Sequence, residues 1–232
     1  CPDFPGAHAL LSRILLPGPP YREVLAHIHR TLRPDTYLEI GVETGATLAL
    51  ATTATTAVGV DPSASVREHG LAPGARVFHD TSDAFFARET PASVFGGRTV
   101  DLAFIDGMHW FEYALRDFVN AERWASEDGV IVLHDCLPVT AVAARRERAS
   151  TFWVGDVWKV LDVLLEYRKD LRIHVVPTPP SGLVLVRGLD PRSTVLSARL
   201  DDLVAHYRGL EVPAPPEDWS SRYPLVENAE AA

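Results

Sequence analysis

The stretch "VDLAFIDGMHWFEY" (residues 100–113) decides how the rest of the chain is read. Leu102 to Ile105 is an apolar run of the kind a buried strand needs, yet it breaks at once into Asp106-Gly107-Met108-His109. A helical pattern follows, with Phe111, Ala114, Leu115, Phe118, Ala121 and Trp124 on one face. A second run, "GVIVLHDC" (129–136), also ends in charge, at His134-Asp135. Two core strands that both end this way point to one polar site at one edge of a sheet.

Working outward, strand-like and helix-like segments alternate. "YREVLAHIHRTLR" (21–33) places Val24, Leu25, Ile28 and Leu32 at helical spacing and stops at Pro34. Strands are expected at 36–42, 57–61, 75–80, 100–106 and 129–135, with helices over 45–56, near 82–89 and over 111–125. A helix at 157–169, strands at 172–178 and 182–188 joined by a Pro-Pro-Ser-Gly turn, and a helix at 194–209 complete the series. This alternation implies an α/β, doubly wound, Rossmann-like sheet with helices on both faces and a final antiparallel strand. Residues 1–34 read as an N-terminal arm and helix forming a lid or cap, 35–190 as the main domain, and 191–232 as a C-terminal helix with a Pro-rich acidic tail. In such sheets ligands gather beyond the carboxyl ends of the strands, where both polar endings lie.

Composition narrows the function. A net charge of −9 argues against a nucleic-acid surface. No apolar segment approaches the ~20 residues of a membrane span, and the N-terminus does not resemble a signal peptide. Two cysteines, Cys1 and Cys136, offer no disulfide framework. A cytoplasmic protein with a small-molecule partner is expected, and a homodimer stays open.

The junction Glu39-Ile40-Gly41-Val42-Glu43-Thr44-Gly45 follows the first strand. Gly41 permits a sharp turn and close approach of a ligand, and Gly45 a tight helix start. The dinucleotide pattern G-x-G-x-x-G is absent; G-x-x-x-G stands in its place. Asp61 ends the second strand 22 residues after Glu39, where a carboxylate can accept both hydroxyls of an adenosine ribose, or serve as a turn residue before Pro62-Ser63. Asp80-Thr81-Ser82 ends the third strand, suited to an adenine amino group or to capping the next helix.

These residues resemble the class I S-adenosylmethionine-dependent methyltransferases over roughly residues 35–190. "LEIGVETG" is similar to the E/D-x-G-x-x-x-G loop of that family, and "GVD" to its second-strand acid. "VDLAFIDGMH…VIVLHD" is similar to a bacterial subgroup of sugar and natural-product O-methyltransferases. "GDVWK" (155–159) recurs in relatives of that subgroup. The resemblance implies a seven-stranded sheet of order 3-2-1-4-5-7-6. It also implies S-adenosyl-L-methionine held by Glu39, Gly41, Gly45, Asp61, Asp80, Thr81, Ser82 and Asp106.

Methyl transfer from a sulfonium to oxygen is a one-step displacement that needs in-line alignment and a weakened hold on the acceptor's proton. A histidine base or a divalent cation can supply the second. His109, three residues past Asp106, is the candidate base. In metal-dependent macrolide-sugar O-methyltransferases a catalytic histidine stands at the equivalent place, and Asp106 and Asp135 match positions that hold Mg²⁺. His134 departs from that pattern. It is either a third ligand, favouring Mn²⁺, Fe²⁺ or Zn²⁺, or part of the wall. Trp110, Trp153 and Trp158 could wall an acceptor pocket or fill the core; Arg145, Arg146 and Arg148 could grip an anion or face solvent. The competing readings are an NAD-binding oxidoreductase, a metal-dependent hydrolase or hydroxylase-like enzyme on the same scaffold, and a non-catalytic interaction module.

Overall fold

The computed structural model describes residues 5–66, 70–210 and 219–228; Cys1 and most of the Pro-rich acidic tail lie outside them. The strands are β1 (Thr36–Ile40), β2 (Thr56–Val60), β3 (Arg76–Phe78), β4 (Val100–Ile105), β5 (Ala125–His134), β6 (Arg172–Val176) and β7 (Leu183–Arg187). They form one sheet of order β3-β2-β1-β4-β5-β7-β6, as expected. The first five strands run parallel, and β7 pairs antiparallel with both β5 and β6. Around the sheet lie α1 (Pro5–Leu15), α2 (Tyr21–Leu32), α3 (Ser82–Arg88), α4 (Pro91–Phe95), α5 (Phe111–Trp124), α6 (Lys159–Tyr167), α7 (Leu200–Arg208) and α8 (Trp219–Arg222).

The apolar runs at 102–105 and 130–133 are buried because side chains on both faces of a central strand leave water. Leu38, Ile40, Ala103, Ile105, Ile131 and Leu133 join the core built on Phe111, Leu115 and Phe118 of α5. Tyr37, Leu102, Phe104, Val130 and Val132 face the other way, onto Val24, Leu25 and Ile28 of α2. Helix α2 is therefore the main cover of the second face.

One expected element is missing. Of the residues 45–56 expected as a helix, 45–55 form turns and bends with a single 3₁₀ turn, Leu48–Leu50, and Thr56 begins β2. Threonines carry the reason: their hydroxyls bond locally or reach other backbone in place of a helical ladder. Thr47 donates to Glu39 (2.8 Å), Thr55 donates to the Pro34 carbonyl (2.8 Å), and Thr52 pairs with Thr55. The expected helix at 194–209 is likewise shortened to a 3₁₀ turn, Ser197–Arg199, followed by α7.

The C-terminal segment ties the N-terminal one down. Leu225 bridges to Val175 beside β6, and the Asn228 amide donates to the carbonyls of Pro17 (3.1 Å) and Pro19 (3.0 Å). The start of α2 is fixed by the Tyr21 amide, which donates to Pro179 (3.0 Å) in the turn between β6 and β7. These contacts place the first turn of α2 at the carboxyl edge of the sheet, beside the ends of β4 and β5.

Candidate active site

The ends of β1, β2, β4 and β5 open into one cavity of about 530 Å³. Gly41 makes its floor possible. Its φ is +88°, and a β carbon there would stand 2.0 Å from the carbonyl oxygen of Asp106, so only glycine lets the two strand ends approach this closely. Asp61 secures the loop above. Its Oδ2 accepts from the amides of Val42 (2.9 Å) and Glu43 (2.8 Å), and its Oδ1 from Ser63 (2.7 Å). Asp61 is thus a turn-locking residue and at the same time part of the cavity wall.

The other expected cofactor residues divide. Thr81 and Ser82 line the cavity, and Thr81 also caps α3 through Ala84 N (3.2 Å). Asp80 is turned to Arg88 (2.7 Å) and is not on the wall. Glu39 sits behind the loop, fully buried, accepting from Tyr37 Oη (2.5 Å) and Thr47 Oγ1 (2.8 Å). Burial raises its pKa to about 8 against those hydrogen bonds. Gly45 also stands off the wall, with φ +79° and Val66 at 3.0 Å from where a β carbon would be.

The two polar endings meet. His109 Nε2 lies 3.2 Å from Asp135 Oδ2 and 3.6 Å from Asp106 Oδ1. His134 Nδ1 lies 3.1 Å from Asp106 Oδ1 and 3.3 Å from Asp135 Oδ1. Asp135 adopts a left-handed conformation, φ +61°, so the chain turns sharply as β5 ends, a geometry aspartate tolerates better than most residues. Ser181, from the turn between β6 and β7, donates to Asp135 Oδ1, and Tyr21 of α2 packs its ring 4.2 Å from that of His134.

Charge in this cluster is balanced within itself. Burial pushes Asp106 up, but the charges and hydrogen bonds of His134 and His109 outweigh it and hold the carboxyl well below its usual range. Burial dominates at Asp135 and raises its pKa. Burial opposes protonation of His109, yet Asp135 and Asp106 bring its pKa up to about 9; His134 is raised by the same two carboxylates against its own burial. The donor atoms of Asp106, His134 and Asp135 all lie within 4.8 Å of one another. Two carboxylate oxygens and one imidazole nitrogen so arranged suit a divalent cation, with the oxygens serving Mg²⁺ and the nitrogen favouring Mn²⁺ or Fe²⁺.

A strap between β5 and α6 covers His109. The carbonyl of Trp153 lies 3.1 Å from His109 Nδ1, the position of a proton acceptor, which leaves Nε2 facing the carboxylates. Asp156 accepts from Phe111 N (2.8 Å) at the start of α5 and pairs with Lys159 (3.2 Å) and Arg146 (3.4 Å). "GDVWK" is therefore the anchor of this strap. Of the tryptophans considered above, Trp153 lines the cavity, Trp158 is core, and Trp110 packs under Arg146. Arg146 is engaged by Glu112 and Asp156. Cys136 is fully buried, and burial pushes its thiol pKa well up, the setting of a structural thiol and not of a reactive thiolate.

Tyr21, Arg22, Phe152, Trp153 and Pro180 also line the cavity. No local signal in the sequence marks Tyr21, Arg22 or Ser181, which read there as a helix start and a turn.

Residues 38–136 match a family model described as a methyltransferase domain. No curated protein sequence matches the chain. Among solved structures, the chain is similar to cofactor-bound Rv0187 from MTB (15% identity, TM-score 0.55, covering 80% of this chain and 90% of that one). It is also similar to a putative O-methyltransferase from Klebsiella pneumoniae (13%, TM-score 0.53, 82% and 92%). A third is the O-methyltransferase TomG from Streptomyces achromogenes, involved in tomaymycin synthesis and solved with SAM (16%, TM-score 0.51, 80% and 89%). At these identities the likeness is one of fold, and it agrees with the strand order described above. The match to the methyltransferase-domain model spans the segment from β1 to the end of β5, which carries both acid–histidine endings, and the fold of these solved structures extends over the whole sheet.

Proposed function

We propose that the chain is an S-adenosylmethionine-dependent O-methyltransferase whose acceptor is a small-molecule hydroxyl, on a sugar or glycosylated natural product. The observation that carries this reading is the convergence of Asp106, His109, His134 and Asp135 in the same cavity as the Gly41 loop and Asp61. A cavity of about 530 Å³ has room for a nucleoside cofactor beside a small acceptor. Its wall carries Glu43, Asp61, Asp106 and Asp135, a field that suits a sulfonium cation.

Bound at this site, S-adenosylmethionine supplies an electrophilic methyl group and leaves as S-adenosylhomocysteine. Asp61, Thr81 and Ser82 would hold the adenosine end, and Gly41 and Val42 the middle. His109 Nε2 accepts the hydroxyl proton as the acceptor's oxygen–carbon bond forms, while Nδ1 keeps its bond to Trp153 O. At neutral pH the imidazole is protonated when only the two carboxylates face it, because its pKa stands at about 9. Positive charge engaging Asp106 and Asp135 removes that stabilisation and frees Nε2. Asp106, His134 and Asp135 would hold a divalent cation, which lowers a hydroxyl's pKa. The aromatic rings of Tyr21, Tyr113, Phe152 and Trp153 on the wall support the acceptor class, since rings pack on sugar faces and flat molecules. TomG, a fold relative in natural-product synthesis, supports it further.

Calorimetric titration with S-adenosylhomocysteine tests the cofactor reading. Binding in the micromolar range is expected for the wild type, and Asp61→Ala is expected to weaken it ~10-fold or more, because two loop amides lose their acceptor along with the ribose. Absence of wild-type binding at near-millimolar ligand sinks the reading. Removal of divalent cations with EDTA is expected to lower turnover ~10-fold or more, with recovery on adding Mg²⁺ or Mn²⁺. Turnover indifferent to EDTA would make His109 and His134 the only counter-charges of the two carboxylates.

A further inference from the structure

Arg22 lies in the first turn of α2 and lines the cavity, yet no step above uses it. Its Nε donates to Tyr21 Oη (3.1 Å), and its guanidinium stands 5.6 Å from the centre of that ring. Tyr21 in turn is packed on His134 and fixed through its amide to Pro179. The guanidinium is therefore held at a set position relative to the reacting centre. Among the described residues that hydrogen bond is its one side-chain partner, so the two terminal nitrogens remain for a ligand. Two carboxylates close enough to favour its charge are Glu43, on the Gly41 loop, and Asp106.

Arg22 and Glu43 thus place one cation and one anion on the same rim, the complement of the carboxylate and ammonium of an α-amino acid. The placement fits the three substituents of a sulfonium. Adenosine belongs toward Asp61, Thr81 and Ser82, and the methyl toward His109 and Asp135. The remaining chain must then run along Gly41 to Glu43, toward the start of α2. Resting on the cofactor reading above, we propose that Arg22 is the clamp for the amino-acid carboxylate of S-adenosylmethionine. A planar guanidinium with two free nitrogens matches a carboxylate in a way a lysine does not.

The test separates the cofactor's carboxylate from an anionic group on the acceptor. Two ligands are titrated calorimetrically into wild type and Arg22→Ala: S-adenosylhomocysteine, and 5′-methylthioadenosine, which lacks the amino-acid end. The proposal expects S-adenosylhomocysteine to bind Arg22→Ala ~10- to 100-fold more weakly, with Arg22→Lys between the two, while methylthioadenosine binds all three alike. An equal loss for both ligands would mean a general disturbance of the cavity and overturns the proposal. So does unchanged S-adenosylhomocysteine affinity with a raised KM for acceptor, which assigns Arg22 to the acceptor. Failure of the wild type to bind S-adenosylhomocysteine would instead refute the cofactor reading itself, a distinguishable result.

Discussion

His109→Ala is expected to slow methyl transfer ~10²-fold or more while leaving the affinity for S-adenosylhomocysteine nearly unchanged. The split follows from geometry. The imidazole reaches Asp135 and Asp106 through Nε2, whereas the cofactor's contacts are assigned to the Gly41 loop, Asp61, Thr81 and Ser82. Alanine removes the proposed proton acceptor and one of the two imidazoles that balance the carboxylates. It touches neither the loop amides held by Asp61 nor the packing beneath Gly41. Single-turnover rates with saturating cofactor, alongside calorimetric titration of each variant, measure the two effects separately. Wild-type turnover in the variant would take His109 out of the mechanism and leave Asp106 and Asp135 to do the work.

The second large effect comes from a residue that touches no substrate. Gly155 has φ +64°, and a β carbon there would lie 1.7 Å from the carbonyl oxygen of His109 and 2.9 Å from its Cβ. Both neighbours are part of the main chain or fixed to it, so Gly155→Ala must push the strap and His109 apart. The strap also supplies the Trp153 carbonyl opposite Nδ1 and Asp156 N at 3.3 Å from His109 O. A shift of about 1 Å in a base can cost 10²-fold in rate, and that is the expected loss in kcat. An added stability cost of about 1–3 kcal/mol comes from placing alanine in the left-handed region. Cofactor affinity should hold, since Arg22, the Gly41 loop, Asp61, Thr81 and Ser82 all lie outside the strap between β5 and α6. A folded variant, checked by its thermal transition, that turns over at the wild-type rate would show that the strap does not set the base.

Much of the fold is legible in the sequence because its signals are local. The runs at 36–40, 56–60, 100–105 and 129–134 are mostly apolar, with apolar residues on both faces, which marks central parallel strands, and the helical stripe on Phe111, Leu115 and Phe118 marks their cover. The 45–56 segment misleads for a reason that is not local. Its threonine hydroxyls find partners in Glu39 and the Pro34 carbonyl, and those become available only after the strand beside them has formed.

The site divides along the same line. Residue type and spacing by themselves placed Asp106, His109, His134 and Asp135 at the carboxyl edge of one sheet, because a strand's end is read from where its apolar run stops. They also determined that Gly41 and Asp61 lie on the same edge. Only the tertiary structure decided what each group does there. The carbonyl that fixes the His109 tautomer comes from Trp153, 44 residues away, and the hydroxyl on Asp135 from Ser181, 46 residues away. Glu39 and Asp80 were expected at the cofactor, yet neither is on the cavity wall, since Tyr37 with Thr47 and Arg88 respectively hold their carboxylates elsewhere. Periodicity and motif report which edge a residue occupies. Proton positions, charge balance and the direction of a carboxylate depend on groups that reach the same cavity from distant parts of the chain, and folding alone brings those together.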